Sequence, residues 1–249
     1  MAQSREERKL RASLDEREQG LLKIIEEYEQ GELVLTDELA SALKTSPLTL
    51  IAFACLGSKR GCEEIVEDIN RTILFYRFHK RLQKLFEVLK KTDPQTTLHI
   101  ILPDFEPRRT WGWKKEQDEI TFSCLVIRDE ITLPLDWKIH LWSELEADEL
   151  EFSQSLDQVT KFTRPQILDE ETHFFRELAA KHPDILTNGQ PREIAKRQLA
   201  AYANEGRVLE RVYPNGILLQ ADVPTERRDT MFAPLRKNPL AIIHPFVRE

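Results

Sequence analysis

Three stretches of the chain carry side chains able to hold an anion, act as a nucleophile or move a proton. The first is Gly57–Ser58–Lys59–Arg60–Gly61. Two glycines flank a hydroxyl and two cations, so the backbone can turn tightly while Ser58 offers a nucleophile and Lys59 and Arg60 offer positive charge. It matches neither the GxGxxG nor the GxxxxGK[ST] pattern, so it names no nucleotide. The second is Leu98–Trp113, LHIILPDFEPRRTWGW, in which Asp104 is followed by the paired guanidinium groups of Arg108 and Arg109 and by the aromatic face of Trp111. Guanidinium groups grip phosphate or carboxylate in bidentate fashion, and a carboxylate such as Asp104 can move a proton. The third is Asp222, just after a late apolar run. The six histidines do not cluster at metal-ligand spacing, HExxH, paired CxxC and GxSxG are absent, and no metal or cofactor is expected.

These groups become one site only if the elements before them end together. Leu48–Leu56 is almost continuously apolar, as is Leu98–Leu102, and both are expected as strands buried on both faces. Between them, Glu63–Lys91 repeats apolar residues every three or four positions, which predicts a helix and hence a parallel βαβ unit. Arg71, Arg77, Lys80, Arg81, Lys84, Lys90 and Lys91 bias its other face towards positive charge. Glu119–Ile127 and Lys138–Trp142 are expected as two further strands, followed by a helix opening at Glu144–Glu151. Helices are predicted over Asp169–Lys181 and Pro191–Val212, the latter with proline in its first turn. Tyr213–Gly216 is a turn, Ile217–Ala221 and Pro239–Ile243 are strands, and Pro224–Lys237 is a loop. The pattern predicts an α/β, Rossmann-like three-layer fold with a mostly parallel sheet. Its loops would share one rim beyond the carboxyl ends of the strands.

Ahead of this body, Ser4–Gly31 is expected as one long charged helix with a thin apolar stripe of Leu10, Leu14, Leu21, Leu22, Ile24, Ile25 and Tyr28. The stripe predicts a helix that lies across the body or pairs with a second copy in a homodimer. A short helix follows over Asp37–Lys44. Residues 1–45 are thus expected as a helical extension and 46–249 as the catalytic domain. The 41% hydrophobic content supports a core, the 32% charged content a well-solvated surface, and the net charge of −7 argues against a protein coated in nucleic acid. The three cysteines, Cys55, Cys62 and Cys124, suit a reducing compartment. With no signal-like core and no apolar run of roughly 18 residues, a cytoplasmic protein without a membrane partner is expected.

Two families share this order of features. The chain resembles the isonitrile synthases related to the pyoverdine and dityrosine biosynthesis proteins, through Leu56–Gly61, Pro103–Trp111 and the run Tyr202–Gly206 to Tyr213–Leu218. That resemblance, the longer of the two, gives the main expectation: it implies an enzyme that converts an amino acid's amine to an isonitrile with a phosphorylated sugar as co-substrate. The chain is also similar to the tRNA-dependent cyclodipeptide synthases, through Gly57–Ser58 after a buried strand and Ile101–Leu102–Pro103–Asp104 with Pro107 and Thr110. It implies aminoacyl-tRNA as the partner, Ser58 as the nucleophile, Tyr202 and Glu205 as a catalytic pair, and the basic helix around Arg77–Lys91 as the tRNA surface. A non-catalytic interaction module built on the same fold is the third expectation.

Overall fold

The computed structural model describes residues 4–29, 33–53, 71–102, 104, 114–130, 133, 136–146, 149–181, 189–219 and 240–243. Its frame is a five-stranded sheet, β1 (Thr49–Phe53), β2 (Thr97–Leu102), β3 (Trp137–Leu141), β4 (Ile217–Leu219) and β5 (Ala241–Ile243). The strand order is β3-β2-β1-β4-β5 and every pairing is parallel. This is the doubly wound, Rossmann-like order, in which the chain builds outward from β1 on both sides.

The alternation of side chains explains why the strands are apolar throughout. Leu50, Ala52, Leu98, Ile100, Leu102, Ile217 and Ile243 face one core. Ile51, Ile101 and Leu218 face the other. The first core is closed by α2 (Glu16–Tyr28), α3 (Asp37–Lys44), α4 (Arg71–Thr92) and α5 (Lys114–Glu130). The second is closed by α6 (Trp142–Leu145) and α9 (Pro191–Val212), which brings Val208 and Leu209 onto the sheet. Outside α9, α7 (Glu149–Phe162) and α8 (Pro165–Lys181) pack through Phe152, Val159, Phe175 and Leu178. Three layers result, helices on both faces of a parallel sheet. No helix among the described residues is long and apolar enough to cross a membrane.

Three expectations are corrected. Glu119–Ile127 is not a strand but part of α5. Its β-branched and aromatic residues suggest a strand, yet Cys124 and Ile127, three apart, are the ones buried in the core, while Phe122 is 69% exposed. Burial at a spacing of three is the helical period, and tertiary packing overrides the propensity. The N-terminal stretch is not one helix: α1 (Arg5–Ala12) ends at Ser13 and α2 restarts at Asp15. Asp15 Oδ1 accepts from the Glu18 amide at 2.8 Å and Glu18 Oε2 accepts from the Asp15 amide at 2.9 Å, a capping box that starts a new helix. The last residue expected in Lys138–Trp142, Trp142, opens α6 instead. The segments 54–70 and 220–239, including the loop expected at Pro224–Lys237, lie outside the described residues.

The turn between α9 and β4 is under tight steric control. Asn215 takes φ 66°, and the Gly216 amide donates to Tyr213 O at 2.9 Å. A Cβ on Gly216 would lie 2.6 Å from Ile51 Cδ1 and 3.1 Å from Tyr213 O. Gly216→Ala is therefore expected to lower stability by about 1–3 kcal/mol through overpacking, read as a lower urea midpoint at unchanged slope. A shift of a few tenths would show that the α9–β4 corner yields.

Candidate functional site at the carboxyl edge of the sheet

In an open doubly wound sheet the ligand crevice opens where neighbouring strands send their chains to opposite faces, beyond their carboxyl ends. The strand order reverses between β1 and β4, which pair directly through Leu50–Ile217 to Ala52–Leu219. The chain leaving β1 at Phe53 carries Gly57, Ser58, Lys59 and Arg60. The chain leaving β4 carries Asp222, and the one leaving β2 carries Arg108, Arg109 and Trp111. Because all three strands are parallel, these segments set out from the same edge. The eight residues themselves lie outside the described residues.

Asp104 is described, and it is tied down. It is 5% exposed. Its Oδ1 accepts from the Ser143 amide at 2.9 Å and its Oδ2 from Ser143 Oγ at 2.5 Å. Its carbonyl accepts from Thr121 Oγ1 at 2.5 Å. One residue thus fastens the end of β2 to α5 and to the first turn of α6. Ser143→Ala keeps the amide bond and loses the hydroxyl bond to a carboxylate. A loss of about 1.5 kcal/mol in urea unfolding is expected, and no loss would mean that solvent replaces the hydroxyl.

Tyr202 and Glu205 both sit half-buried on α9, three residues apart and so neighbours on the helix surface. Tyr202 packs against the cluster of Phe152, Val159 and Leu199 between α7 and α9. Between these two expected residues lies one that sequence reasoning missed. Asn204 is fully buried, donates from Nδ2 to Glu146 Oε1 at 2.5 Å and accepts from Ser155 Oγ at 3.2 Å. Arg207 extends the network, donating to Ser155 Oγ at 3.1 Å and to Gln154 Oε1 at 2.9 Å. No local motif could reveal it, because its partners lie 49 to 58 positions away in the chain. Trp142 was likewise expected only as a strand residue. It is fully buried, its ring centroid lies 5.7 Å from that of Phe53, the last residue of β1, and its Nε1 has no hydrogen-bond partner among the described residues.

The basic face of α4 is partly committed. Lys84 and Lys91 are exposed, opposite the buried Leu82, Leu85, Phe86 and Leu89. Lys90 instead pairs with Asp136 and sits 5.7 Å from the Phe86 ring centre. The backbone of 71–81 is helical, but the side chains of Arg71, Arg77, Lys80 and Arg81 lie outside the described residues. The histidines, scattered in sequence, are not all apart in space: His99 and His140 touch.

No protein-family model and no curated protein sequence matches the chain. Among solved structures it is similar to a CDPS (cyclodipeptide synthase) from Fluoribacter dumoffii, at 11% identity and TM-score 0.47, over 81% of this chain and 90% of that one. It is also similar to the tyrosyl-tRNA synthetase of Leishmania major, at 12% identity and TM-score 0.42, over 85% of this chain and 32% of that one. Likenesses at this level carry no argument about activity. The class rests on the chain's own sheet: a Rossmann-like α/β protein whose strand order reverses between β1 and β4.

Proposed function

We propose that the chain is an acyl-transfer enzyme of the tRNA-dependent cyclodipeptide synthase type. The observation that carries this reading is the strand order. Sheets of this order bind ligands beyond the carboxyl ends of the strands where the order reverses, and this supports a site after β1, whose next segment in sequence holds Gly57–Ser58. Ser58 Oγ attacks the ester carbonyl of an aminoacyl-tRNA. The bond from that carbonyl to the terminal ribose oxygen breaks, the serine proton ends on the freed ribose hydroxyl, and the aminoacyl group stays on Ser58. The amine of that aminoacyl group attacks the ester carbonyl of a second aminoacyl-tRNA, whose ribose oxygen leaves and takes the amine's proton. The new terminal amine then attacks the Ser58 ester carbonyl, closing the ring and returning a proton to Ser58 Oγ. Tyr202 and Glu205 on α9 supply the groups that hold the substrate amine and take up its proton. Gly57 permits close approach, Lys59, Arg60, Arg108 and Arg109 hold phosphate oxygens, Trp111 stacks on a base or side chain, and Asp222, which follows β4 in sequence, binds the amine. Asp104, with both carboxylate oxygens engaged by Ser143, positions the rim. The exposed lysines Lys84 and Lys91, on a 22-residue helix, offer a local cationic track on an otherwise acidic chain.

The isonitrile-synthase reading expects the helix carrying Tyr202–Gly206 to run through the Tyr213–Gly216 turn into a strand. The structure has that order, α9 then β4, but it serves both readings equally. The test is therefore chemical. Purified protein is incubated with radiolabelled aminoacyl-tRNA, and separately with free labelled amino acid and a pentulose phosphate. Acid-stable label on the protein in the first mixture alone is expected. An isonitrile product in the second mixture would replace the proposal with the other enzyme. Neither label nor product across all amino acids would leave an interaction module.

A further inference from the structure

Away from the carboxyl edge, the α9 side of the sheet holds a polar cluster in an otherwise apolar layer. His99 on β2 and His140 on β3 point to the same face as Ile51 and Ile101. His99 Nδ1 and His140 Nε2 lie 3.0 Å apart. The ring planes differ by 6° and the centroids are 5.2 Å apart. That separation is almost the whole of the N···N distance with one ring radius added at each end, the largest value that this N···N distance allows. The two nitrogens therefore lie on the line joining the ring centres, and the rings meet edge to edge in nearly one plane. Opposed lone pairs on one line suit a single shared proton. A metal ion would need roughly 2 Å to each nitrogen, which this separation and alignment do not provide. One ring must donate and the other accept, so the tautomers are linked. Thr97 Oγ1, 3.4 Å from His99 Nε2, touches the far side of the pair.

Tyr213 closes the cluster. Its ring meets His99 edge-on at 4.6 Å and His140 at 6.2 Å. Tyr213 is also the residue that ends α9 and accepts the Gly216 amide, so the pair is packed against the corner that leads into β4. We propose that His99 and His140 form a single-proton dyad that latches β2 and β3 to the α9–β4 corner and releases it when a second proton binds. With one proton bound in addition to the shared one, an imidazolium N–H still points at an imidazole lone pair. With a second, both facing nitrogens carry hydrogens, the bond is lost and two like charges oppose each other.

The groups around the dyad order the two steps. Glu144 faces His140 and favours its charge, although burial and Lys138 oppose it, and the net is a lowered pKa. His99 is held down to about 4 by burial first, then by His140 and Lys138. Glu144 itself accepts from the Leu141 amide and from Arg128. Tyr213, raised to about 12 by burial, stays neutral throughout. His140 thus takes the first proton and His99 the second.

Nitrogen-15 histidine spectra of the full chain, with amide hydrogen exchange at Gly216 and Leu218, test the dyad. At pH 7 one of the two facing nitrogens is expected protonated and the other bare, with two separated titration steps on acidification. Exchange at Gly216 and Leu218, corrected for its intrinsic pH dependence, is expected to speed by about tenfold across the second step only. In His140→Gln, His99 is expected to titrate in one step at higher pH. Independent titration of both rings near the ordinary value of about 6.5 would overturn the dyad. Unchanged exchange across the second step would overturn the latch. If His140→Gln fails to fold, the wild-type spectra decide both points.

Discussion

Ser58→Ala is expected to abolish both the trapped acyl group and the cyclic product while leaving the thermal midpoint within about a degree. Removing a serine nucleophile in an enzyme that works through an acyl intermediate costs on the order of 10⁴-fold or more in rate. Covalent capture splits one difficult acyl transfer into two easier ones, and without Ser58 the aminoacyl group has nowhere to wait for its partner. The competing chemistry makes a different forecast. An enzyme that needs no acyl intermediate would use Ser58 only to hydrogen-bond a substrate oxygen, and its loss would cost about 1 kcal/mol, a several-fold effect. Product formation by Ser58→Ala at more than about a tenth of the wild-type rate would therefore reject the acyl-enzyme. Label retained on Ser58→Ala would place the nucleophile elsewhere.

Asp93→Ala is expected to be the most destabilising single change among the described polar residues, at about 3–5 kcal/mol. Asp93 is 4% exposed and holds four pieces of the fold together. Its Oδ2 accepts from the Leu48 amide at 3.0 Å, just before β1, and from Arg17 Nη2 on α2 at 2.5 Å. Arg17 in turn donates to the carbonyls of Leu43 and Thr45 at the end of α3, at 2.9 and 3.0 Å. The Asp93 amide bonds back to Leu89 at the end of α4, and its carbonyl accepts from Thr96 ahead of β2. Removing the carboxylate takes one of three acceptors from the partly buried Arg17 guanidinium and leaves the buried Leu48 amide without its acceptor. Burial alone would raise the Asp93 pKa, but the bonds from Arg17 and Leu48 and the charge of Arg17 outweigh it and hold the carboxyl below its ordinary value. The sign follows. This stability is present above the unfolded value of about 3.9 and is lost as pH falls through the lower folded value. Asp93→Asn should therefore flatten the acid limb of the urea midpoint below about pH 4. The histidine dyad acts in a separate window, between about 6.5 and its own lowered values. A loss below about 1 kcal/mol for Asp93→Ala, or an unchanged acid limb for Asp93→Asn, would show that solvent substitutes for the pair.

The reach of local pattern is clearest in β1, β2 and α9. Continuous apolar runs at Leu48–Leu56 and Leu98–Leu102 can be satisfied only by burial on both faces, so they dictate strands in a covered sheet. Pro191 in a first turn and an apolar period running to Val212 dictate α9 almost to the residue. With α4 between them, β1 and β2 could pair only in parallel, and they do. Pattern also placed Ser58, Arg108 and Asp222 after strands, which is why the candidate rim could be named before any coordinates. Where several local signals competed, the reading failed. In α5, β-branched residues outweighed the three-residue spacing of Cys124 and Ile127, and only the core they fill settles the matter. In the N-terminal segment the Asp15–Glu18 capping signal was present but was masked by unbroken charge.

What the sequence determined by itself, then, is everything set by short-range periodicity: which segments bury two faces, which bury one, and which residues follow the strands. What only the tertiary structure decided is adjacency. The position of β4 beside β1 sets where the strand order reverses, and no pattern in Ile217–Leu219 states which edge that strand will join. Asn204 with Glu146, Asp104 with Ser143 and His99 with His140 meet across 58, 39 and 41 residues of chain. Such contacts have no local signature, because their energy comes from satisfying polar groups in a dry interior that exists only once the layers have closed.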